Sequence, residues 1–120
     1  MSMPLLDDDR AQRVIEKADS PVFMLFVTAD GRGKAARKVV ESLIEHYDDR
    51  VIFIAVQAEE NPGFASTWVL PSVLQEGPAA VISRRGEAVA ALDHLDLADR
   101  ERVAKAVQSS LVVKRREDRA

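Results

Sequence analysis

The chain contains no cysteine. That single absence removes thiolate nucleophiles, Cys-ligated metals and disulfide exchange together. Histidine is nearly as scarce: His46 and His94 are the only two in 120 residues. Neither has a second ligand at metal-binding spacing, so both read as surface residues rather than catalysts or ligands. No apolar run approaches the roughly 20 residues of a membrane span. The amino-terminal stretch, Met1-Ser2-Met3-Pro4 through Asp7-Asp8-Asp9, lacks the basic start and continuous apolar segment of a secretory signal. There is no excess of positive charge either. Seventeen Lys and Arg stand against 20 Asp and Glu, for a net charge of -3, and the positive residues are scattered. Nucleic acid and membrane are therefore not expected partners, and the cytoplasm is the default location. The serines (Ser66, Ser72, Ser83, Ser109, Ser110) have no nucleophile-elbow context, so no hydrolase triad can be assembled.

What is present is the balance of a soluble globular protein, 47% hydrophobic and 31% charged. The length fits one domain over residues 1–113, followed by a charged tail at 114–120. Residues 3–6 are a candidate edge strand, where Pro4 is tolerated because an edge residue need not donate to the ladder. Ala11, Val14, Ile15 and Ala18 recur at helical spacing, and Asp7 to Asp9 supply a cap and favourable charge for a helix over 8–18. Capping accounts for that acidic run better than metal binding, since no other ligands accompany it.

Pro21 ends this segment and leads into Val22-Phe23-Met24-Leu25-Phe26-Val27, apolar on both faces as an interior strand must be. An Asp30-Gly31-Arg32-Gly33 turn follows. The apolar stripe Ala36, Val39, Val40, Leu43, Ile44 and Tyr47 then predicts a helix ending near Asp48-Asp49. Residues 51–56 make a second β-branched run, so strand, helix and strand form a right-handed crossover with parallel strands. Asn61 with Pro62 reads as the cap and first position of a helix around 64–70, interrupted by Pro71. Phe64 and Trp68 are expected to pack beneath the neighbouring loop. Gly77-Pro78 introduces a strand over 79–83, Arg84-Arg85-Gly86 a turn and 88–92 its hairpin partner. Asp96, with Asp99 three residues on, reads as the start of a last helix carrying Val103, Ala106, Val107 and Leu111.

This order of elements resembles the thioredoxin family over nearly the whole chain, and local words agree with it. The family's Cys-Gly-Pro-Cys-Lys falls on Asp30-Gly31-Arg32-Gly33-Lys34. Its Asn-Pro-Gly falls on Asn61-Pro62-Gly63, and its cis-proline strand on Gly77-Pro78-Ala79-Ala80-Val81, after a longer intervening gap. The resemblance implies an α/β, three-layer sandwich with a mixed sheet of four or five strands and helices on both faces. It also places Asp30 and Gly33 where the two cysteines would stand, Met24 where a buried aspartate assists proton transfer, and Ala55 where a lysine lies nearby. The chain is thus expected to be a redox-inactive member, not an enzyme, with no cofactor and no metal.

The family's edge beside its cis-proline holds extended polypeptides by strand addition. By resemblance, the expected function is a protein-binding module, an adaptor or chaperone-like maturation factor. Its groove would be formed by Asp30, Gly31, Arg32, Gly33, Gly77 and Pro78, with the Gly77-Pro78 bond cis and a protein or peptide client as partner. Cysteine-free chains of this kind are similar to accessory proteins of bacterial hydrogenase maturation, although no private motif ties this chain to them. One rival reading comes from the residues themselves. Gly31 to Ala36 satisfies G-x-G-x-x-A between strand and helix, so backbone N–H groups with Arg32 and Lys34 offer a seat for a nucleotide or phosphate. Asp30 opposes an anion there, the chain is too short for two mononucleotide-binding halves, and a Walker A loop fails at Thr28 and Ala35.

Overall fold

The computed structural model describes residues 3–47 and 49–111. The expected tail at 114–120 lies outside the described residues, as does Asp48. Ten elements follow in order: α1 (Asp8–Lys17), β1 (Val22–Val27), α2 (Gly31–Tyr47), β2 (Ile52–Gln57), α3 (Pro62–Trp68), α4 (Pro71–Glu76), β3 (Ala79–Arg84), β4 (Glu87–Leu92), α5 (His94–Leu97) and α6 (Arg100–Leu111). The sheet order is β2-β1-β3-β4, with β1 parallel to β2 and antiparallel to β3, and β4 antiparallel to β3. This is the mixed sheet the sequence predicts.

Every residue of β1 is buried, and its alternation builds two cores. Phe23, Leu25 and Val27 face one cluster with Val40, Leu43, Ala80, Ile82, Val103 and Val107, which brings α2 and α6 onto that side. Val22, Met24 and Phe26 face the other with Ala11, Ile15, Ile54, Val56 and Ala65, which brings α1, α3 and α4 onto the opposite side. Phe64 and Trp68 pack against this second core, with the Phe26 and Phe64 ring centroids 6.0 Å apart.

The ends of the elements follow local chemistry. Asp7 caps α1 by accepting from the Arg10 N–H at 2.9 Å. Arg85 and Gly86 both have positive φ (54° and 83°), which is what a two-residue hairpin turn demands for its strands to keep their twist. A register shift at Ile82/Ser83 leaves Val89 without an opposite number on β3, a bulge that bends the exposed edge β4.

Four boundaries differ from expectation. The strand at 3–6 shrinks to one parallel bridge, Leu5 to Ala55, in which the Pro4 carbonyl accepts from Ala55 N–H and Leu6 N–H donates to the Ala55 carbonyl. Pro71 does more than interrupt a helix: it occupies the first turn of a second one, α4, where its missing N–H costs nothing. Asn61 stands at the start of α3 but does not cap it with its side chain. That side chain instead accepts from Asp8 N–H and donates to the Gln57 carbonyl, tying α1 to the end of β2. Finally, the capping box is Asp93 with Asp96, one helix earlier than Asp96 with Asp99. The Asp-x-x-Asp spacing occurs twice in succession, and the extended backbone at Asp93 favours the first. Asp99 then accepts from Glu101 N–H at the start of α6.

Phe23 is fully buried with its ring centroid 5.4 Å from that of Phe53. Phe23→Ala is expected to cost about 3–5 kcal/mol. Urea unfolding of the two proteins checks it, and a loss under about 1 kcal/mol would contradict the two-core account.

Candidate functional site

At the carboxyl end of β1 the chain turns through Thr28, Ala29 and Asp30 into α2. Asp30 takes the capping position: its Oδ1 accepts from Thr28 Oγ1 at 2.8 Å and from Gly33 N–H at 3.0 Å, and Arg32 Nε lies 3.7 Å from Oδ2. The Thr28 hydroxyl most of all, then the Gly33 amide and the nearby Arg32 charge, hold the Asp30 carboxyl below the ordinary aspartate range. Asp30 is therefore a carboxylate at neutral pH, sitting on the helix N-terminus that an anionic ligand would need.

Gly33 is buried, and a Cβ there would lie 2.0 Å from the Thr28 carbonyl oxygen. Helix α2 leaves the sheet so close to the β1 backbone that only hydrogen fits. Gly31, two residues earlier, is open, with nothing within 4 Å of where its Cβ would stand. Of the two places where the resemblance would put cysteines, the first is exposed and the second is closed to any side chain.

The residues expected to form the groove come from two segments, the start of α2 and the entry to β3. Ala79 pairs with Phe26, so Gly77-Pro78 does lie at the same end of the sheet as the Asp30 turn. The described residues contain no cis peptide, so the Gly77-Pro78 bond is trans. Gly77 leads into β3 with a φ of 157° and a ψ of −170°, which suit glycine. A Cβ on Gly77 would meet His94 Cβ at 2.8 Å, and both Gly77 and Pro78 are buried. His94, expected at the surface, is half-buried by this contact.

A cleft of about 740 Å³ opens between the β1–α2 turn, the end of β2, α3 and α4. Ala58, Pro62, Ala65, Pro71 and Leu74 supply its apolar wall; Thr28, Asp30, Glu59, Ser66 and Gln75 supply polar groups. Glu59 is fixed at both oxygens, accepting from Ala29 N–H at 3.2 Å and from Gln57 Nε2. Two carboxylates are thereby held at the Thr28–Asp30 turn, and among the described residues no Lys, Arg or His lines the cleft. Of the six residues expected to form the groove, Asp30 alone lines it; Gly31, Arg32, Gly33, Gly77 and Pro78 do not. The sequence carried a faint signal for it: Pro62 and Pro71 start two short helices where one longer helix would have covered this end of the sheet. Among the described residues no group of three or more acidic or histidine side chains is placed to hold a metal ion.

Two outcomes follow from this geometry. Gly33→Ala is expected to destabilise the protein by about 1–3 kcal/mol through overpacking against Thr28, while Gly31→Ala stays within about 0.5 kcal/mol of the parent; paired urea unfolding curves decide. The depressed Asp30 pKa stabilises the fold above the ordinary aspartate pKa, and that contribution is lost as pH falls through the lower, folded-state value. The parent should therefore lead Asp30→Asn in unfolding midpoint at pH 7, and the lead should vanish in acid. A lead unchanged down to full protonation would show that the carboxylate's charge plays no part.

No protein-family model matches this chain, and no curated protein matches it by sequence. Solved structures do match. Reduced thioredoxin pre-protein of Schistosoma mansoni aligns at 18% identity over 91% of this chain and 98% of its own, with a TM-score of 0.72. A mutant thioredoxin of Halobacterium salinarum aligns at 21% over 92% and 91%, with a TM-score of 0.74. Oxidised mitochondrial thioredoxin 3 of Saccharomyces cerevisiae aligns at 18% over 90% and 94%, with a TM-score of 0.70. At these identities the likeness is one of fold, and it joins the sheet order and the missing cysteines: the chain has the thioredoxin-like fold in a form that carries no redox-active thiol.

Proposed function

We propose that this protein is a non-enzymatic binding module, an adaptor or chaperone-like maturation factor, that holds a segment of a client polypeptide in the cleft beside Asp30. The observation that carries the reading is the pairing of a closed redox position with an open cleft. Gly33 admits no side chain, yet a cavity of about 740 Å³ stands a few residues away, within the roughly 300–1,000 Å³ typical of ligand sites. Five apolar residues wall it, and hydrogen bonds fix Asp30 and Glu59 among its polar groups, which suits recognition of a side chain and its flanking backbone. A cytoplasmic site of action and an escort role like that of hydrogenase accessory proteins are specific forms of the same proposal. The anionic-ligand reading at Gly31 to Lys34 gains no support from this geometry, because the Asp30 carboxylate already accepts from the Gly33 amide.

A peptide array probed with labelled protein tests the proposal. Ser66 is exposed and lines the cleft, so Ser66→Trp fills the space without disturbing buried residues. The parent should bind a subset of peptides and Ser66→Trp should lose them by about tenfold or more, the equivalent of about 1.4 kcal/mol. Binding untouched by Ser66→Trp would move the surface elsewhere, and a blank array for the parent would sink the proposal. Redox chemistry should also stay absent after Asp30→Cys with Gly33→Cys, because a thiol at position 33 has to displace the Thr28 carbonyl; ready disulfide formation by that variant would overturn the closed-site account.

A further inference from the structure

We infer that the cleft selects a client segment by a basic side chain, an arginine or lysine whose cationic head sits between Asp30 and Glu59. This rests on the polypeptide-binding reading and adds to it the chemistry of what is bound. Three observations support it. Asp30 and Glu59 both line the cleft, and no cationic side chain among the described residues does. Both carboxylates are held in place before any ligand arrives, Asp30 by Thr28 and Gly33, Glu59 by Ala29 N–H and Gln57. Preorganised acceptors of this kind bind a cation without first having to be ordered. Ala58, Pro62, Ala65, Pro71 and Leu74 give the cleft apolar surface, so the aliphatic stem of a basic side chain has area to cover while its head reaches the carboxylates. Arg32 lies 3.7 Å from Asp30 without lining the cleft, and among the described residues no cationic side chain forms an ion pair with Glu59. A free phosphate, an acidic peptide or a nucleotide would meet two fixed negative charges here and is disfavoured on the same ground.

The test uses three capped heptapeptides of identical Gly, Ala and Leu background, differing at the central position: arginine, its uncharged isostere citrulline, or glutamate. Backbone amide NMR shifts at Thr28, Glu59, Gly63 and Ser66 report occupancy. The arginine peptide is expected to perturb these amides and to bind about tenfold more tightly than the citrulline peptide, the range for hydrogen bonds to a charged group. The gap should narrow at high salt and close in the double variant Asp30→Asn with Glu59→Gln, which keeps the Oδ1 acceptor at position 30 and one of the two acceptor oxygens at position 59. Equal binding of arginine and citrulline peptides at these amides, or preference for glutamate, overturns the charge inference and leaves the polypeptide-binding reading standing. Arginine-peptide shifts confined to other surfaces overturn the site. Failure of all three peptides to shift the cleft overturns both proposals. The comparison of arginine with citrulline is made on the parent protein, so it decides even where the double variant folds poorly.

Discussion

β1 has no wet face. All six of its residues, Val22 to Val27, are buried, and a strand in that position forces helices onto both sides of the sheet. The pleat then sorts the molecule: odd-numbered residues feed the core under α2 and α6, even-numbered ones the core under α1, α3 and α4. Because β2 runs parallel to β1, their carboxyl ends open at the same edge of the sheet. The loops into α2 and α3 must leave from there, and crevices in α/β sheets form outside such strand ends. The cleft lined by Thr28, Asp30 and Glu59 is thus a consequence of the central strand as much as of its own residues.

Where one physical signal dominated a segment, the sequence could be read directly. A six-residue apolar run flanked by Pro21 and a turn can only be an interior strand, and the stripe from Ala36 to Tyr47 has one helical face to bury. Arg85-Gly86 permits the positive φ that a tight hairpin needs. The signal failed where two local arrangements compete on equal terms. Asp93, Asp96 and Asp99 offer the same box twice, and the choice depends on how β4 delivers the chain. Asn61 can cap a helix or tie α1 to β2, and the packing of α1 decides for the second.

The candidate site was less legible than the fold because its key properties are relations between distant segments. Gly33 and Gly77 are the same letter in the sequence, yet one is required by a backbone oxygen 2.0 Å from its missing Cβ and the other by its own φ and the packing of His94. Both distances belong to tertiary structure. The resemblance put six residues into a single groove, and Pro78 is at the right end of the sheet, buried and joined to Gly77 by a trans bond. The cleft itself draws on the β1–α2 turn, the β2–α3 turn, α3 and α4, and no window of sequence contains it.

The positions where the resemblance would place a proton-relaying acid and its lysine are occupied by apolar residues. Met24 and Ala55 are both fully buried, Met24 in the second core and Ala55 in the first. An ionisable group at either place would have to be desolvated or paired, at a cost of several kcal/mol per charge. With Met24 and Ala55 there, each position adds to the hydrophobic cluster on its own side of the sheet. Asp30 and Glu59 are both exposed, and hydrogen bonds from the turn hold them still. Among the described residues no Asp, Glu, Lys, Arg or His is buried, and the rim carries two carboxylates held by hydrogen bonds, the feature on which the proposed recognition of a basic side chain rests.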